Sequence, residues 1–111
     1  IGGFLPLPTV HAFEPMPASL SAARQRHILG AQGNVWTEYI ATPQEVEYFT
    51  FPRAAALAEM VWSPAKDRDF VDFSRRLQHH LKRLDQLRVN YRRLDPPSPQ
   101  GAEVQPAAKL P

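Results

Sequence analysis

Trp36 and Glu38 stand two residues apart at the end of the run Ile28-Leu29-Gly30-Ala31-Gln32-Gly33-Asn34-Val35-Trp36-Thr37-Glu38-Tyr39-Ile40. On an extended strand, residues at i and i+2 project from the same face. An indole plate beside an acceptor-only carboxylate suits a sugar ring: the C–H face stacks on the aromatic, and the hydroxyls donate to the acid. The competing reading makes Trp36 a core tryptophan and Glu38 a solvent-facing acid just past a strand.

The remaining polar clusters point to less specific roles. His79 and His80 adjoin on a basic stretch, but metal binding needs further ligands at suitable spacing, and none accompanies them. His11 and His27 are isolated and read as structural. Arg75, Arg76, Lys82, Arg83, Arg88, Arg92 and Arg93 form a basic series interleaved with Asp67, Asp69, Asp72 and Asp85. Without aromatic platforms among them, they read as a solvated helix face rather than a nucleic-acid surface. A buried Glu59 would find a counter-charge in Arg53, though the sequence does not show that pairing.

Several elements must position these groups. Residues 1–17 read as loop, broken by Gly2, Gly3, Pro6 and Pro8, with a short extended piece from Val10 to Phe13. Residues 18–27 read as a short helix that Ser19 or Ser21 can cap. Residues 28–36 read as a strand, and Gly30, Ala31 and Gly33 suit a crowded barrel interior or a close backbone approach. Thr42-Pro43-Gln44-Glu45 opens a helix with Thr42 at the N-cap, Pro43 at N1 and Glu45 completing a capping box. Pro52 kinks or restarts that pattern, which resumes over residues 54–62 and stops at Pro64. Asp69 caps a third helix, with Phe70, Phe73, Leu77, Leu81, Leu84 and Leu87 at three- and four-residue steps forming one buried stripe. From Asp95 onward, scattered prolines among Ser, Gln, Gly and Ala read as a disordered tail.

Composition narrows the class. The chain has 111 residues, a formal net charge of +2 and 43% hydrophobic residues, which suits one small folded domain. So modest a charge predicts no strong non-specific attraction to nucleic acid or anionic membrane. Without cysteine, disulfides and thiolate metal sites are excluded. No apolar run reaches the roughly 18 residues of a membrane span. The order is loop, helix, strand, helix, helix, tail, and a lone strand leaves its backbone groups unpaired. The expectation is therefore that the other strands of the sheet lie outside this sequence.

The same residues resemble a known family. The run from Ile28 to Tyr39 is similar to the last barrel strand of family-20 glycoside hydrolases, the β-N-acetylhexosaminidases. The similarity continues through Glu47-Tyr48-Phe49, Phe51-Pro52-Arg53-Ala54-Ala55, Ala58-Glu59-Met60-Val61-Trp62-Ser63 and Asp72-Phe73, then to Val89-Asn90-Tyr91-Arg92. Upstream, Gly2-Gly3-Phe4-Leu5-Pro6-Leu7 and Phe13-Glu14-Pro15-Met16-Pro17 resemble the preceding loop of bacterial members. His11 departs from the tyrosine common at its position, and Pro8 and Thr9 replace a charged pair.

The resemblance implies an α/β chain: the C-terminal fragment of a TIM (β/α)8 barrel, with its last strand and flanking helices, mostly helical as an isolated segment. Residues 1–93 would be that portion and residues 94–111 a Pro-rich disordered tail. A whole barrel takes roughly 250 residues, with its active site at the C-terminal ends of the strands. In the family, the tryptophan matching Trp36 lines the pocket for the terminal N-acetylhexosamine, and the glutamate matching Glu38 hydrogen-bonds its outer hydroxyls. The reaction is substrate-assisted: the 2-acetamido oxygen attacks the anomeric carbon while an Asp-Glu pair orients the amide and protonates the leaving oxygen. This sequence contains no Asp-Glu dipeptide. The resemblance thus implies a segment that is inactive alone, with no catalytic residue, metal or cofactor of its own. Its expected partners are N-acetylhexosamine-terminated glycans and the missing N-terminal part of the barrel, without nucleic acid or a membrane span. Bacterial members are often periplasmic or secreted. The alternatives are a non-catalytic helical module whose leucine stripe binds another protein, and an inactive relict.

Overall fold

The computed structural model describes residues 5–94, which form the helices α1 (Leu7–His11), α2 (Ala22–Gln25), α3 (Pro43–Thr50), α4 (Arg53–Trp62) and α5 (Phe70–Gln86), with 3-10 turns at Thr37–Tyr39 and Ala65–Asp67. The proline-rich tail expected beyond Asp95, and the Gly2-Gly3-Phe4 motif, lie outside the described residues.

The longest helix follows its local signals. Asp69 caps α5 by accepting from the Asp72 N–H at 2.6 Å. Phe73, Leu77, Leu81 and Leu84 are buried and form the core with Ala56 and Tyr91, while Phe70 packs against it half-buried. Leu87 departs from the expected stripe and is 72% exposed. The helix has already ended there: Arg88 turns left-handed at φ 57°, its N–H donates to the Asp85 carbonyl, and the Val89 N–H donates to the Leu84 carbonyl. That pattern is a Schellman terminus, which turns Leu87 off the helix axis and folds Val89 back onto the core.

α3 carries the capping box written in its sequence, with Thr42 and Glu45 satisfying each other's amides. The Phe51–Pro52 peptide is cis, and Pro52 serves as the N-cap of α4. Ala56 and Met60 turn inward from α4. The segment after α5 then binds back across α3. The Asn90 N–H donates to Glu47 Oε2 at 2.7 Å, Asn90 Nδ2 donates to the Gln44 carbonyl at 2.9 Å, and the Arg92 N–H donates to the Phe51 carbonyl at 3.1 Å. The buried Tyr91 directs its hydroxyl to Asp85, with the Arg93 guanidinium over its ring.

Three expectations are corrected here. Residues 7–11, expected as loop and extended chain, are helical. Prolines sit in the first turn of α1, where an amide has no intrahelical acceptor to lose, and the helix docks on α4. Residues 28–36, expected as a strand, form no ladder among the described residues, because an extended chain becomes a strand only where a neighbour takes its N–H and C=O groups. Glu59 pairs across to Arg76 on α5 rather than with Arg53, whose Nη1 donates to the Phe49 carbonyl. Trp62, at the end of α4, is 87% exposed.

Candidate functional site

Trp36 ends the extended segment with φ −91° and ψ 122° and is 65% exposed among the described residues. Glu38 is also exposed, but it lies in the 3-10 turn Thr37–Tyr39, closed by the Ile40 N–H donating to the Thr37 carbonyl at 3.2 Å. The strand argument that puts both side chains on one face therefore does not apply to them. Successive residues of a 3-10 turn rotate by about 120°, not 180°. What the structure brings together is an aromatic, a carboxylate and a second aromatic, the exposed Tyr39, on one short loop. In the sequence, the only signal for Tyr39 is an amphipathic ring directly beside the acid.

Two contacts place this loop on the helical body. A Cβ built on Gly33 would come within 3.1 Å of Leu57 Cδ2 on α4, so the glycine allows the segment to run close over that helix. A Cβ on Gly30 would meet nothing within 4 Å among the described residues. On the other side, the amides of Ala41 and Thr42 donate to Glu45 at the start of α3.

One concavity among the described residues lies away from this loop. A cleft of about 520 Å³ opens between α4 and α5, lined by Phe51, Ala55, Trp62, Phe73 and His80, with the Glu59–Arg76 pair on its wall. Neither Trp36 nor Glu38 reaches it, and it holds no pair of free carboxylates.

The histidines and the basic series take ordinary places. Among the described residues, no group of three or more His, Cys, Asp or Glu side chains is arranged to hold a metal ion. His11 is buried against Phe70 and Phe73, with ring centroids 5.4 and 4.8 Å away. Arg75 and Arg76 bind Asp72, and Arg93 binds Asp85. Arg68 pairs with Glu14 at 2.7 Å, tying the loop after α1 to the start of α5. Among the described residues, no helix is long and apolar enough to cross a membrane.

Comparison with known proteins agrees along most of the chain. The model of the glycosyl hydrolase family 20 catalytic domain matches residues 1–65. A β-hexosaminidase of Porphyromonas gingivalis is 43% identical over 102 residues, covering 92% of this chain and 13% of that protein. A β-N-acetylhexosaminidase of Cellulomonas fimi is 38% identical over 65 residues, covering 59% of this chain and 13% of that protein. The crystal structure of a family-20 exo-β-N-acetylglucosaminidase from Vibrio harveyi, in complex with N-acetylglucosamine, superposes with a TM-score of 0.72 at 37% identity. That match covers 80% of this chain and 14% of the Vibrio chain, so the chain spans a small part of the length of these relatives.

Proposed function

Because the chain belongs to glycosyl hydrolase family 20, we propose that it forms the C-terminal part of a β-N-acetylhexosaminidase barrel and supplies one wall of the sugar subsite. Residues 1–93 make up that part, and Leu94 packs against the same helical core. The observation that carries this reading is the extended segment of residues 29–35, which forms no ladder among the described residues, with Leu29 95% exposed, leading straight into the exposed Trp36 and Glu38. Such a segment is complete only when neighbouring strands take its backbone groups. The other strands of a barrel supply that cover, and barrel active sites lie where strands end.

At that mouth, the Trp36 indole offers its face to the C–H surface of a terminal N-acetylglucosamine or N-acetylgalactosamine. Glu38 accepts charge-assisted hydrogen bonds from ring hydroxyls, fixing the sugar's orientation. The sugar bound to the Vibrio relative supports this substrate class. The attack by the substrate's own acetamido oxygen, and the Asp-Glu pair that assists it, belong to the upstream part of the barrel. The 111-residue chain alone therefore turns over no nitrophenyl N-acetylglucosaminide, and turnover by it overturns the assignment of the chemistry to other residues.

The test of the subsite is Glu38→Gln in the complete enzyme. Loss of charged acceptor contacts lowers kcat/KM about ten- to hundredfold. An unchanged kcat/KM removes Glu38 from the site.

A further inference from the structure

The chain immediately behind the Trp36–Glu38 loop is held by an unusual share of one carboxylate. The Ile40 N–H closes the turn onto Thr37. The next two amides, those of Ala41 and Thr42, both donate to Glu45 Oε2, at 2.7 and 3.1 Å. A capping box needs its N3 carboxylate to serve only the N-cap amide. Here the shorter bond goes to the residue before the cap, outside the helix. The other half of the box is separate: Thr42 Oγ1 accepts from the Glu45 N–H at 3.2 Å and serves the helix itself.

Among the described residues, the upstream side of the loop has no equivalent tether. Residues 29–35 make no backbone–backbone hydrogen bond to another described residue, and their contact with α4 at Gly33 is one of van der Waals packing. We infer that Glu45 is a positioning residue: by gripping Ala41 and Thr42, it sets where the loop bearing Trp36 and Glu38 stands relative to α3. It does not touch the sugar. Its consequence for substrate rests on the subsite reading above, whereas the tether itself does not.

The two halves of the box provide the control. Glu45→Ala removes the tether and the reciprocal cap bond. Thr42→Ala removes only the helix-side bond, and Glu45→Gln keeps a carbonyl oxygen that can accept both amides. In the ¹⁵N-labelled 111-residue chain, Glu45→Ala lowers the amide heteronuclear NOEs of residues 36–40, while Glu45→Gln and Thr42→Ala leave them in place, although both alanine variants lower the Tm. Wild-type NOEs in Glu45→Ala, or an equal drop in Thr42→Ala, overturn the tether. In the complete enzyme, Glu45→Ala raises KM about tenfold, and Thr42→Ala does not. An unchanged KM in an enzyme that Glu38→Gln impairs overturns the positioning role. If Glu38→Gln is also silent, the subsite reading has failed, and the NOE result still decides the tether.

Discussion

Arg76 on α5 holds both carboxylate oxygens of Glu59 on α4, at 2.6 and 3.2 Å. Its Nε also donates to Asp72 at 2.7 Å. The guanidinium thus joins two helices and braces the first turn of one of them. These bonds push the Arg76 pKa above its ordinary value and hold that of Asp72, bonded to both Arg76 and Arg75, below the usual carboxylate range.

Glu59 is mostly buried and Arg76 half-exposed, which places the pair between the weak surface class and the costly buried one. A double-mutant cycle of Glu59→Gln and Arg76→Gln, read by thermal melting, is expected to give a coupling of about 1 kcal/mol. Additive effects would show that the pair contributes nothing to the docking of α4 on α5.

His11 makes stability depend on pH. Burial against two phenylalanines lowers its pKa from the ordinary value of about 6.5, and its Nε2 has no hydrogen-bond partner among the described residues. Glu59 and Asp69 oppose that shift, while Arg68 and Arg76 reinforce it. With the folded pKa below the unfolded one, the unfolded chain binds the proton more readily. Stability is therefore full above about pH 6.5 and is lost as pH falls from there through the lower folded value. His11→Phe should flatten the change in Tm between neutral and mildly acidic pH. A variant melting with the wild-type pH profile would assign that profile to other groups.

The corrected apolar stripe separates two leucines that look alike in sequence. Leu77 is 2% exposed and Leu87 is 72% exposed. Leu77→Ala is expected to cost about 2–5 kcal/mol, whereas Leu87→Ala should stay within about 0.5 kcal/mol. Similar losses at both positions would contradict the helix ending at Gln86.

Arg88 adopts a left-handed conformation at φ 57° immediately after the C-cap of α5. Glycine pays no Cβ penalty there, so Arg88→Gly is expected to raise stability by about 0.5–1 kcal/mol, seen as a higher Tm. A lower Tm would mean that the Arg88 side chain makes a contact worth more than the strain it carries.

The features legible in the sequence are those whose causes lie within a few residues. Thr42, Pro43 and Glu45 write a helix start that needs no partner beyond its own first turn. The steps from Phe73 to Leu84 write a buried face because helical geometry alone puts them on one side. The end of the same helix was harder to see, since arginine is an uncommon residue for a left-handed terminus. The helix α1 was obscured by prolines that look like breakers but sit where a helix accepts them.

Residue chemistry determined by itself that an indole and an acid stand close together in the chain, and that no Asp-Glu pair accompanies them. Only the tertiary structure decided that both are exposed, that Glu38 lies on a turn rather than a strand, and that Arg76 rather than Arg53 receives Glu59. Caps and helical stripes are set by neighbours along the chain. Strand pairing, burial and ion-pair partners are set by groups that only folding brings within reach, and extended residues such as 28–36 take their form from whatever backbone lies beside them.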